Sequence, residues 1–175
     1  MALTAANVRT GISGEVLVAP TTATAPATAI AATTGYVGLG YISSDGVVPK
    51  PERSTTDITA WQNNAVVRTL TTDAKVIYSF TLIETSKATI EFAYGTTVTQ
   101  SATEGTYNAD PAATGGTKKF VVDVIDGANV ARHTFDGELT KMEPSGFKNG
   151  EAVAYACEVT AYTVPVVHDT SLKTP

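Results

Sequence analysis

Val76 to Ile83 (VIYSFTLI) is the longest apolar run in the chain, and its alternation decides what kind of structure it can join. Val76, Tyr78, Phe80 and Leu82 fall on one face of an extended strand, and Ile77, Ser79, Thr81 and Ile83 on the other. An apolar face backed by a semi-apolar one is the pattern of a strand in a sheet covered on both sides. Val66 to Leu70 pairs naturally with it across Thr71-Thr72-Asp73-Ala74-Lys75, which predicts a hairpin from Val66 to Glu84.

Further strands follow the same alternation. Glu15 to Ala19 is a short strand, after a turn or close backbone approach at Gly11 and Gly14. Tyr36 to Ile42 reads as a strand with glycines on one face, and Ser44-Asp45-Gly46 as a turn. Lys118 to Ile125 places Phe120, Val122 and Val124 on one face, and Asp126-Gly127 is the strongest short-range hairpin signal in the chain. The return strand runs from about Ala128 to Phe135. A second Asp-Gly at Asp136-Gly137 leads into Glu138 to Glu143, and Pro144 to Gly150 is a loop. A long strand then covers Glu151 to Val164, with Val153, Tyr155, Cys157, Val159 and Ala161 as its core face. Thr85 to Tyr94 stays open: Ala88, Ile90, Phe92 and Tyr94 alternate as in a strand. Thr85 or Ser86 as a cap and Gly95 as a stop fit a helix equally well. The fold class is mainly β, a β-sandwich or partly closed barrel with at most one helix.

Between the strands lies thin sequence. Pro20 to Thr34 (PTTATAPATAIAATT) has Ile30 as its one large apolar side chain, so it is a surface loop or is ordered by a neighbour. Residues 47–64 read as a long loop containing Trp61, and residues 96–117 as a second, rich in Gly and Thr. Loops of that length in a compact domain are more often functional than idle. The expected organisation is a single domain over 1–164, with an N-terminal arm at 1–14 and a mobile tail at 165–175.

Charged residues make up 17% of the 175 residues, below the usual quarter, with Thr, Ala and Gly taking their place. A surface so poor in charge fits one covered by copies of the same chain. The net charge of -5 argues against binding that neutralises nucleic-acid phosphates. One cysteine, Cys157, excludes an internal disulfide framework. The N-terminus shows no basic or apolar signal region, and no run reaches membrane-spanning length. The expectation is a soluble product of a cytoplasm without membrane insertion.

Catalytic patterns find no support. His133 near Asp136 lacks a third ligand at metal spacing and reads as a polar-face strand histidine. His168 and Asp169 read as a solvated pair in the tail, and Cys157 as a small core residue. No nucleophile elbow, P-loop or dinucleotide fingerprint is present. No catalytic, cofactor or metal residue is therefore assigned. Trp61 is different, because a tryptophan in a polar loop needs something to bury it. That something is either its own domain or a neighbouring subunit, where tryptophan is enriched.

The ordered segments GISGEVLVAP (Gly11 to Pro20), GYVGLGYISSDGV (Gly35 to Val47), DITAWQNNAVVRT (Asp57 to Thr69) and FTLIETSKATIEFAYG (Phe80 to Gly95) resemble the major tail tube proteins of long non-contractile-tailed phages, particularly those of actinobacteria. FKNGEAVAYACEVTAY (Phe147 to Tyr162) is similar to the closing strand of that family. The resemblance implies a structural virion protein and no enzyme: a β-sandwich with one helix, six copies to a ring, strands joined into an inner barrel, and rings stacked into the conduit for DNA ejection. It makes Thr85 to Tyr94 a helix. It implies that 47–64 and the N-terminal segment bridge subunits, with Trp61, Gln62, Asn63, Arg53 and Asp57 as the contacts. The partners it implies are further copies of the chain, a tape measure protein, and tail-tip and tail terminator proteins, with DNA passing unread. The competing reading is a surface β-sandwich that binds glycan or receptor through Trp61, Tyr36 and Tyr41.

Overall fold

The computed structural model describes residues 8–143 and 146–172. The strands are β1 (Ser13–Pro20), β2 (Val37–Gly38), β3 (Ile42–Thr59), β4 (Val66–Leu82), β5 (Thr99–Gln100), β6 (Gly105–Thr106), β7 (Lys118–Asp126), β8 (Asn129–Met142), β9 (Tyr155–Ala161) and β10 (Val166–Asp169). One α-helix, α1 (Lys87–Tyr94), interrupts them. An eight-stranded sheet runs in the order β2-β1-β7-β8-β9-β4-β3, with β10 added alongside β8, while β5 and β6 form a separate small hairpin. The main sheet does not close. Strands β1 and β3, near its two ends, nevertheless approach each other. The chain near Leu39 ties β1 to the end of β4 beside them, since Leu39 N–H donates to the Val16 carbonyl at 3.0 Å and Ile83 N–H to the Tyr41 carbonyl at 2.9 Å.

The core lies between one face of this sheet and α1. Val16, Tyr78, Phe80, Leu82, Phe120, Val122, Phe135, Tyr155, Cys157 and Val159 point into it from the strands, as their alternation requires. From the helix, Phe92 reaches Phe80 and Phe120, with ring centroids 6.2 and 5.9 Å apart. Phe120 stacks on Phe135 at 5.3 Å and Phe135 on Tyr78 at 4.3 Å, so one aromatic row crosses from helix to β4. Burying a side chain such as Phe80 or Phe120 contributes roughly 1.5–3 kcal/mol.

Of residues 85–94, Lys87–Tyr94 forms the helix, and both of its ends are capped. The Ser86 hydroxyl accepts from Thr89 N–H, and Gly95 adopts the left-handed conformation at φ 59°. Thr89 is fully buried and donates its hydroxyl hydrogen to the Leu39 carbonyl at 2.9 Å, fastening the helix over the seam between β1 and β3.

Several expectations are corrected. Of the arm 1–14, residues 1–7 lie outside the described residues, and Ser13 and Gly14 already belong to β1. The stretch 47–64 is not a loop: β3 continues to Thr59, paired with β4 throughout. Thr71 to Lys75 is not a turn but part of β4, with a register shift opposite Ser54 and Thr55. The reversal falls at Gln62–Ala65, where Ala65 N–H bonds the Gln62 carbonyl at 3.3 Å. Asn63 and Asn64, at φ 58° and 52°, supply the left-handed pair that such a hairpin turn demands.

Tyr36 to Ile42 is mostly irregular, because its backbone serves to bridge two strand edges. Asp136-Gly137 turns nothing, since both residues lie within a continuous β8. Gly137 is needed there because a Cβ would stand 2.5 Å from the Thr160 carbonyl oxygen of β9. The tail 165–175 contributes β10, which pairs with Ala131 to Thr134 of β8. The last strand is shorter than Glu151 to Val164, covering only Tyr155–Ala161.

Candidate assembly surface

β9 pairs with β4 only from Val76 to Leu82. Beyond that point β4 (66–75) and β3 (52–59) continue as a two-stranded ribbon, and almost every residue of it is exposed. At about 3.3 Å per residue the ribbon projects roughly 30 Å from the sheet. An isolated two-stranded ribbon is at best marginally stable in water, so this arm calls for a covering partner. Its internal bonds are modest: Thr69 Oγ1 donates to Asp57 Oδ1 at 2.6 Å, and Lys75 pairs with Glu52 at 3.4 Å. Pro49 and Pro51 stand at every second position of β3, and proline is tolerated in a strand at an open edge.

The tip of the arm carries no charge from Ile58 to Val67 (ITAWQNNAVV). Trp61 is 97% exposed there, with Ile58, Val66 and Val67 also exposed. Packing of Trp61 onto its own domain is thus overturned. Gln62 and Asn63 share the tip with it. Asp57 sits partway down the ribbon, committed to Thr69, and Arg53 lies at the root opposite Ala74. The five expected contact residues therefore occupy the two ends and the shaft of one arm, not one patch.

At the root, beside Arg53, lies a cleft of about 500 Å³ lined largely by Pro51, Val76, Ala161, Tyr162, Val164 and Pro165. Val164 is 88% exposed and Tyr162 57%. Sequence reasoning missed this cleft because its far wall was assigned to the end of a strand and a tail. It also missed Ile58, Val66 and Val67 as tip residues. The Asn63-Asn64 pair between two apolar stretches was the signal that could have located the tip.

The face of the sheet opposite the core has two parts. Over β1, β7 and β8 it is covered by residues 21–35, the Ala/Thr-rich tract. Arg132 donates to the Thr28 and Ala31 carbonyls at 3.3 and 2.6 Å, and holds Asp123 from below. Over β9 and β4 that tract is absent, and the face presents half-buried Ile77, Ser79, Thr81, Ala156, Glu158 and Thr160, with the Ser79 hydroxyl itself buried. The cations beside it are held by carboxylates, Lys50 by Glu158 at 3.6 Å and Lys141 by Glu143.

Among the described residues the expected non-catalytic readings of His133, Cys157 and Asp169 can each be placed. His133 turns to the Tyr78 hydroxyl, 3.1 Å from its Nδ1, and not to Asp136, which is paired with Lys119 at 2.7 Å. This corrects the polar-face reading: the His133 ring packs edge-on against Tyr78 with centroids 5.9 Å apart, and burial lowers its pKa. Burial likewise pushes the Cys157 thiol up to about 12, leaving it without nucleophilic character. The Asp169 carboxylate is engaged by Ser171, not by a solvated His168. Among the described residues no cluster of His, Cys, Asp and Glu could hold a metal, and no helix is long and apolar enough to cross a membrane. The aromatics of the glycan reading are dispersed: Trp61 is at the arm tip, and the Tyr36 hydroxyl is turned to the Thr24 carbonyl at 3.5 Å.

No curated protein matches the sequence. A solved structure described as the tail of an empty GTA particle, computed with helical refinement in C6 symmetry, is similar at 10% identity, with a TM-score of 0.48 over 77% of this chain and 87% of that one. The sequence model of a family described as phage tail tube protein matches residues 1–165. By that match the chain belongs to the phage tail tube protein family, and it is a structural tail tube protein.

Proposed function

We propose that the chain assembles into rings, six copies in each, which stack into a tube that conducts DNA out of a long non-contractile phage tail. The observation that carries this reading is the exposed arm, a ribbon roughly 30 Å long whose uncharged tip ends in Trp61. A protein acting alone gains nothing from holding such a ribbon in water, whereas a subunit that reaches its neighbour buries it. Head-to-tail contacts close into rings or continue along an axis, and a tube needs both. The number six rests on the resemblance to long-tailed phage tube proteins.

In this reading the open face of β9 and β4 lines the channel. Ile77, Thr81, Ala156 and Thr160 carry no charge there, and the neighbouring lysines, paired with Glu158 and Glu143, leave little to grip a passing phosphate backbone. The tube belongs to the virion and is made in the host cytoplasm. A tape measure protein fills it before DNA does, and tail-tip and terminator proteins bound its ends. The work is conformational and structural, with no catalytic step.

Electron microscopy of the purified protein tests the proposal. Tubes or rings of uniform diameter with six-fold end views are expected. A strictly monomeric protein at high concentration, unchanged when tail partners are supplied, would rule it out.

A further inference from the structure

The tip and the root of the arm present complementary surfaces that cannot meet within one molecule. The tip offers an exposed indole flanked by Ile58, Val66 and Val67. The root offers a largely apolar cleft of about 500 Å³, ample for an indole, walled by Pro51 and Val76 on one side and by Tyr162, Val164 and Pro165 on the other. Val76 and Val66 lie on the same paired strand, so the ladder itself holds tip and root roughly 30 Å apart. Filling the cleft from the same chain would require breaking the ribbon that displays the tip.

We propose that Trp61 of one copy seats in the root cleft of a second copy, between Pro51 and Val164, so that each subunit gives a tip to one neighbour and receives one from another. The occupant is argued from the chain itself, which exposes an uncharged apolar knob and a socket of matching scale whose walls are apolar and whose rim carries Glu52, Arg53 and Lys75. Arg53 and Glu52 at the rim of the cleft face the amide-rich turn of Gln62, Asn63 and Asn64, which can bond to either charge. Knob and socket are different surfaces, so the contact is heterologous and propagates instead of closing on a dimer. Each step displaces one copy from the next by about the length of the arm. This places the contact along a repeat, and it rests on the tube reading given above.

Oxidative cross-linking of assembled protein tests it. Gln62→Cys and Val164→Cys, both at exposed positions, are combined in one chain whose native Cys157 is buried. The expected result is a ladder of disulfide-linked multimers from tubes of the double variant, and monomers from either single variant. Tubes of the double variant that yield only monomers would overturn the socket while leaving the tube reading intact. Should the double variant fail to assemble, the wild type decides, because Trp61 is its only tryptophan. Its emission shifts to the blue and its quenching by iodide falls on assembly, and Val164→Glu abolishes both changes. Wild-type tubes with unchanged Trp61 emission would overturn the proposal, and a wild type that never assembles would overturn both readings together.

Discussion

Arg132 and Asp123 face each other across β8 and β7, joined by two nearly parallel bonds, Nε to Oδ1 at 2.7 Å and a terminal guanidinium nitrogen to Oδ2 at 2.6 Å. Both side chains are almost completely buried, and the remaining guanidinium nitrogen fastens the 21–35 tract through the Thr28 and Ala31 carbonyls. The hydrogen bonding that Arg132 donates to Asp123 is the main reason its pKa is raised. A tract whose buried side chains are the small Pro26 and Ala29, with Ile30 exposed, has little else to hold it. The pair therefore fixes a face of the sheet as closed and leaves the β9 and β4 face as the open one.

Removing one partner leaves the other charged and buried. Arg132→Leu is expected to destabilise the fold by roughly 3–5 kcal/mol, and Arg132→Leu with Asp123→Leu to recover much of that loss. Urea unfolding of the variants measures both. A cost for Arg132→Leu under about 1 kcal/mol would show the pair to be solvated.

Gly137 is a second point of tight fit. Gly137→Ala brings a methyl to 2.5 Å from the Thr160 carbonyl, so β8 and β9 must separate. Overpacking of this kind costs about 1–3 kcal/mol, and amide exchange should rise first at Thr160 and Ala161. An alanine variant as stable as the wild type would mean that the strands yield without cost.

These residues also show what the sequence made legible. Alternation located the core faces of β4, β7 and β9, because one side of each is sealed by α1 and by other strands. It failed along 47–59, because both faces of a projecting ribbon meet solvent and no hydrophobic period survives there. Asp136-Gly137 reads as a turn in sequence, yet its glycine answers to a neighbouring backbone, which only the assembled sheet reveals. By pattern alone 85–94 is even between helix and strand; the resemblance tips it to helix, and the caps at Ser86 and Gly95 supply the physical reason. Trp61 was singled out correctly as unusual, while the cleft at the arm root needed distant segments to be brought together.

Acid should weaken the fold through His133. Burial lowers its pKa below the ordinary 6.5, against the pull of Asp123 and Asp169 toward the charged form. The unfolded chain then binds the proton more readily than the native one, so stability is full above about pH 6.5 and falls as pH drops toward the native value. Below that value this contribution no longer changes. Melting temperatures from pH 7.5 down to 5 or so should decline less steeply for His133→Leu than for wild type. Parallel declines would assign the acid sensitivity to other groups.

The account turns on the arm as the element of assembly. The direct measurement compares wild type with a variant in which Ser54 is joined to Asp73 by an Asn-Gly turn, a two-residue link suited to a hairpin. Circular dichroism checks that the sheet and helix persist, and electron microscopy with sedimentation follows assembly. The account predicts a folded, monomeric variant beside a wild type that forms tubes. Tubes of unchanged diameter and length from the armless chain would contradict it.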